Sequence, residues 1–353
     1  MFVCACLFVG ASTRVNSFAQ DQTPTQAVVI VPDEKTQGIS AYKRGDNEEA
    51  LKFLRAATKR HKDDAEAWYY IGLALMKSGK AKDASKAFET VVKLQPHHAS
   101  AHTGLAYSLL VRNKLSEASR KAQRALTLNP QDAEAHYIQG VVKLRTDEFA
   151  EALSASDAAI RMKPGLAAAY LLKSQAVLQV STRDHLAAVN HKLAGWPPDE
   201  AARKERRREQ VAKYKAAAES LETYLKLETR ATDADAWREQ LTALRAYAMS
   251  ADVPEGERVF SLTDGIQKAI ILAKPEPEYT EAARQSGVEG PIVLRLVLAS
   301  DGTIKHVLVL QALSHGLTEK AVVAARKIKF TPAMKDGRSV SQVATIVYNF
   351  NIY

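Results

Sequence analysis

A beat of 34 residues constrains this chain more than any other feature. Ala50, Ala84, Ala118 and Ala152 stand at that interval, and so do Pro96, Pro130 and Pro164. Gly45, Gly79, Asn113 and Asp147 keep the same spacing, with residue types that accept a left-handed turn. Trp68, His102, His136 and Tyr170 form a column of large side chains, and Gly72, Ala106 and Gly140 a column of small ones. Small residues let two antiparallel helices touch, and a proline stops the second helix and opens the next repeat. Lys62 takes the proline's place in the first repeat, and Lys143 fills a position that is usually apolar. A unit of this size cannot bury its apolar face alone, so units must stack. The expectation is an all-α solenoid over residues 31–180.

This period and pattern resemble the tetratricopeptide repeat family. The matching positions are Trp68, Gly72, Ala84, Pro96, Ala118, Pro130, Gly140, Ala152 and Pro164, all with structural roles. The resemblance implies a concave groove that holds a protein ligand of unknown identity. A purely structural spacer fits the same columns, because shape alone does not demonstrate a ligand. After Val180 the beat fades. Gly195-Trp196-Pro197-Pro198 is a break, and Asp199 is a candidate N-cap for a long helix running to Glu228. Residues 221–227 (LETYLKL) resemble 88–94 (FETVVKL), so a degenerate repeat resumes and Asp235–Met249 reads as its closing helix. Residues 181–249 thus cap the solenoid, and 250–270 form a linker.

The period then changes. Ile292, Leu294, Leu296 and Leu298 alternate with Val293, Arg295 and Val297, as in a strand. Asp301-Gly302 suits a tight hairpin. The return strand places Ile304, His306, Leu308 and Leu310 on one face and Lys305, Val307 and Val309 on the other. Leu317, Ala321, Ala324 or Ala325, and Ile328 recur at helical spacing, and Val340–Tyr353 reads as a final strand. The expected unit, 271–353, is a small α+β domain: a three-stranded sheet with one packed helix.

Here a second resemblance enters. Pro277, Tyr279 and Arg284, then Gly287 and Gly290, look like the entry motif of the TonB C-terminal domain family. So do the hairpin at Asp301-Gly302, Phe330-Thr331-Pro332-Ala333, and Asp336-Gly337-Arg338-Ser339-Val340. The resemblance implies a periplasmic module that captures a short peptide of an outer-membrane receptor. In the family's entry element, Thr280 replaces a usual proline and Glu276 a glutamine. The residues themselves point to the same mode of binding. Ser339 to Tyr353 carries no charge, whereas edge strands are normally protected by lysine, proline or a bulge. The last strand is therefore either internal or a receptive edge. A receptive edge accepts an extended peptide by strand addition, or pairs with its own copy in a homodimer. The expected docking stretch is 343–350, with Val343, Thr345, Val347, Asn349 and Phe350 as its contact residues.

Composition sets the outer limits. A net charge of +9, 46% hydrophobic residues and 25% charged residues describe an ordinary globular chain. Cys4 and Cys6 are the two cysteines, and they leave no disulfide framework. Met1–Ala11 is apolar and Ser17-Phe18-Ala19 follows, which resembles a signal peptide cut after Ala19, though without a basic start. An undistinguished N-terminal tail is the alternative. Residues 20–30 are a polar lead-in. The basic run Arg203–Arg208 is interrupted by Glu205 and lacks interleaved aromatics, so it reads as a solvated helix face and no nucleic-acid partner is expected. His97, His98 and His102 lack a carboxylate or cysteine to complete a metal set. No catalytic motif is present, so neither an enzyme nor a cofactor is expected. The expected protein is an exported periplasmic adaptor with membrane contact only through partners. An inner-membrane anchor upstream, or a scaffold that merely dimerises, are the alternatives.

Overall fold

The computed structural model describes residues 33–191, 200–229, 233–249, 259–260 and 265–351. The expected signal peptide (1–19), lead-in (20–30) and Asp199 cap lie outside them.

Four helix pairs open the described chain: α1 (Glu34–Arg44) with α2 (Asn47–Arg60), α3 (Ala65–Lys77) with α4 (Ala81–Leu94), α5 (Ala99–Val111) with α6 (Leu115–Leu128), and α7 (Ala133–Arg145) with α8 (Phe149–Met162). Each pair turns on a residue with positive φ: Gly45 at 95°, Gly79 at 72°, Asn113 at 57° and Asp147 at 61°. Ala50, Ala84, Ala118 and Ala152 are fully buried where the helices meet. Gly72 and Gly104 leave room for one ring: a Cβ on either would come within 2.6 Å of Phe88. Gly140 makes the same allowance for Leu172.

The large-residue column is a set of clips between repeats. Trp68 Nε1 donates to Lys62 O at 2.9 Å, and Nε2 of His102 and His136 meet the carbonyls of Pro96 and Pro130 at 3.1 and 3.0 Å. Burial lowers the pKa of His102, so the ring is held neutral. The first helices of successive repeats touch one another (α1 to α3, α3 to α5, α5 to α7). The array therefore curves with those helices inside.

Helix α9 (Ala167–His191) continues the inner row and packs on α10 (Glu200–Leu227), which packs on α11 (Ala234–Met249). Arg208 of the basic run pairs with Glu205 at 3.6 Å, both well exposed.

The C-terminal unit contains more strands than the sequence pattern suggests. They are β1 (Val259–Phe260), β2 (Ile270–Ala273), β3 (Gly290–Leu298), β4 (Ile304–Gln311), β5 (Lys329–Thr331), β6 (Ala333–Lys335) and β7 (Arg338–Phe350). Two helices join them, α12 (Glu281–Gln285) and α13 (Leu317–Ala325). The main sheet runs β1-β7-β3-β4, with β6 also on β7, and β2 pairs with β5 in a separate ribbon. β1 falls inside the stretch expected to be linker and pairs in parallel with Ser341 and Gln342.

Both faces of the sheet are covered. Ile292, Leu294, Leu296 and Leu298 pack with α13, while Val293 and Val297 pack with Tyr214, Leu244 and Tyr247 of the capping helices. The expected face assignment on β4 is corrected. Val307 and Val309 join Ile304 on the α13 side, and Leu308 and Leu310 face α10 and α11. The cause is a bulge in β4: His306, at φ 50°, and Val307 together stand opposite Leu296 alone, between the pairs Arg295–Leu308 and Val297–Lys305. An extra residue in one strand reverses every side chain beyond it.

Candidate peptide-docking edge and groove

A sheet has two edges, and unpaired N–H and C=O groups on each need an explanation. On β4, the capping helices supply it. Gln240 of α11 donates through Nε2 to Val307 O at 3.2 Å and accepts at Oε1 from Val309 N at 2.8 Å. Its amide thus fills the place of a neighbouring strand. Tyr247 Oη donates to His306 O at 3.0 Å, and Gln179 Nε2 of α9 donates to Leu310 O. Arg326, just past α13, pairs with Glu239. Beneath this seam Arg295 is 7% exposed, with its guanidinium beside the rings of Tyr214 and Tyr247 and Nη1 donating to the Tyr214 hydroxyl. Burial pushes the Tyr247 phenol well above the usual tyrosine range.

On β7 the picture differs. β3 pairs along its whole inner side, from Gly290 opposite Phe350 to Leu298 opposite Gln342. Its outer side meets β6 at residues 338–340 and β1 at 341–342. From Val343 to Phe350 no further strand pairs with that outer side among the described residues. The side chains alternate: Ile346, Tyr348 and Phe350 are buried in the core, while Thr345, Val347 and Asn349 are exposed. Val343 is half-buried against the capping helices. Of the five expected contact residues, Phe350 is therefore a core residue facing Tyr279 (rings 5.6 Å apart), because even positions on this strand point at α13.

One cation guards the open stretch. Lys274 Nζ donates to Val347 O at 3.2 Å, passes 4.6 Å from the Tyr348 ring centre and pairs with Glu276 at 3.6 Å. The Tyr348 phenol is pushed up to about 12, by burial first and then by Glu276. The sequence pattern finds no guard because Lys274 lies 73 residues away from the carbonyl it covers.

The entry-motif residues frame this edge. Tyr279 donates to Val288 O and stacks beneath Arg284 at 5.3 Å. Thr280 caps α12, accepting from Ala283 N at 3.2 Å and donating to His315 O at 2.6 Å, so the departure from proline has a structural use. Gly287 and Gly290 have φ of 62° and 133°. Pro277 precedes Glu278, which pairs with Lys320 at 2.5 Å.

The solenoid offers a second surface. Tyr69, Leu73 and Lys77 on α3 recur as Thr103, Tyr107 and Val111 on α5, and as Tyr137, Val141 and Arg145 on α7. Tyr107 and Val111 are 44 and 56% exposed. These inner-row positions keep the 34-residue beat between the structural columns, a signal that the sequence carries and that buried columns alone do not reveal. Among the described residues no group of three or more His, Cys, Asp or Glu could hold a metal, and no helix is long and apolar enough to cross a membrane.

Comparison with known families agrees with this architecture. Residues 275–352 match the Gram-negative bacterial TonB protein C-terminal family, a domain of the cell envelope. Residues 35–84, 71–119 and 103–167 match the tetratricopeptide repeat family. Both are protein-interaction families without catalytic machinery. No curated protein matches the chain. Among solved structures, the MamA protein is 24% identical with a TM-score of 0.41, covering 55% of this chain and 92% of its own. YrrB, a tetratricopeptide repeat protein with an unusual peptide-binding site, is 21% identical with a TM-score of 0.38, over 58% of this chain and 90% of its own. A thermophilic repeat protein of Thermus thermophilus is 19% identical with a TM-score of 0.39, over 57% of this chain and 97% of its own. The chain carries tetratricopeptide repeats followed by a TonB C-terminal domain, two domain types that indicate protein partners.

Proposed function

We propose that this protein is a periplasmic adaptor that captures an extended segment of an outer-membrane receptor on β7 and holds a second protein partner in its repeat groove. The observation that carries the reading is the outer side of β7 from Val343 to Phe350, which pairs with no further strand among the described residues. Main-chain hydrogen bonds to that side supply affinity, and the exposed Thr345, Val347 and Asn349 supply selectivity. The groove reading rests on the aromatic and aliphatic positions around Tyr107 and Val111.

Val347→Pro tests the edge. Proline at this position removes an N–H and demotes the strand as a template. Fluorescence anisotropy with labelled N-terminal segments of outer-membrane receptors should show saturable binding to the unaltered chain and none to the variant. Circular dichroism should show the helical signal unchanged. Equal binding by both proteins discards strand addition. A dimer that the same substitution dissolves, with no peptide bound, would assign the edge to self-pairing and the chain to scaffolding.

A further inference from the structure

The β2 strand has a surface that neither the edge nor the groove explains. Ile270, Ile271 and Leu272 are 55, 42 and 68% exposed. Ile270 stands opposite the exposed Thr331 and Ile271 opposite the buried Phe330, and the register shifts between Ile271 and Ala273, so one face of the ribbon borders the core and the exposed aliphatic side chains line its solvent side and rim. None of the three joins a buried cluster of the described residues. Cations bracket the strip: Lys268 precedes it, Lys274 follows it, and Lys329 of β5 stands opposite Ala273. Lys274 is shared with Val347 O and Glu276, which leaves Lys268 and Lys329 exposed and without an ion pair among the described residues. The strip also precedes the residues matched to the C-terminal family, which begin at 275.

We infer that this strip seats on an anionic bilayer surface. A second copy pairing antiparallel would set Lys268 near the Lys274 of its mate, and like charges across a strand pair repel. Acyl chains accept the exposed apolar side chains, while lysine stems lie along them and the ammonium groups reach the anionic headgroups. Each such lysine adds attraction that salt weakens. The chain would then touch lipid directly as well as through its partners.

The test is flotation of the full chain with vesicles of phosphatidylcholine containing about one-third phosphatidylglycerol, beside vesicles of phosphatidylcholine alone. The unaltered chain should float with the anionic vesicles and about tenfold less with the neutral ones. The double variant Ile270→Ser, Leu272→Ser should lose about tenfold in partitioning, and Lys268→Glu with Lys329→Glu should abolish the preference for anionic lipid. The second variant changes exposed side chains alone, so it reads the surface even if the first unsettles the ribbon. Val347→Pro should float unchanged, which separates this inference from the docking edge. No flotation, equal flotation with both lipids, or a dimer that the serine variant dissolves would each overturn it.

Discussion

At β4 the outer edge of the sheet meets Gln179 of α9 and Gln240 and Tyr247 of α11, whereas at β7 the stretch 343–350 meets Lys274. Both edges present the same backbone groups, so the difference lies in what covers them. The amide of Gln240 donates and accepts at once, as a strand does, and it sits at the rim of an apolar contact that includes Leu308, Leu310 and Leu244. Removing it strands two main-chain groups away from water. The ammonium of Lys274 makes one bond, and water or Glu276 can take it back at little cost. Among the described residues one edge is closed as part of the fold, and the other is shielded by one ammonium group.

The largest effect that would break this contrast is expected for Gln240→Ala. It leaves Val307 O and Val309 N unsatisfied at a half-buried seam and should cost about 2–3 kcal/mol, read as a lower urea midpoint. A loss below a few tenths would mean that the two edges are equally open. A smaller effect should come from pH. Burial, and next Lys305, lower the pKa of His306, and Arg326 and Glu239 line the same cleft beside α11. The folded value lies below the unfolded value of about 6.5, so the unfolded chain binds the proton first. Stability associated with this group is complete above that pH and declines as pH falls through it. Thermal melts from pH 8 down to 5 should show the decline, and His306→Gln should flatten it. The smallest effect on stability belongs to Lys274→Ala, within about 0.5 kcal/mol. The same variant should bind an extended peptide a few-fold tighter, because the Val347 carbonyl no longer needs to be uncovered. Weaker binding would make Lys274 a contact rather than a guard.

What the sequence reveals follows the range of the interactions. The repeat columns are legible because turn, helix contact and proline stop recur within one short unit, and Asn113 and Asp147 adopt the left-handed turn that their spacing demands. The uncharged run of β7 is legible because protection of an edge leaves a mark on composition. The faces of β4 are not, since a histidine at positive φ gives no warning of a bulge. β1 is too short, and too far from Ser341, for any local pattern to announce. Gln240 and Lys274 act on carbonyls 67 and 73 residues away, and nothing near them in the chain marks the partner. Phe350 belongs to the core because strand register, which composition does not encode, aligns it with Gly290 and α13.

The nine register pairs between β3 and β7 bear on how the molecule would respond to traction. A chain lying along β7 and tugged lengthwise loads that ladder in shear, where all rungs resist together rather than unzipping one by one. The joint between sheet and solenoid relies instead on side-chain bonds from Gln179, Gln240 and Tyr247 and on the contact around Arg295. Under a rising pull that joint should give way first, which single-molecule stretching would register as a small early step before the sheet itself yields.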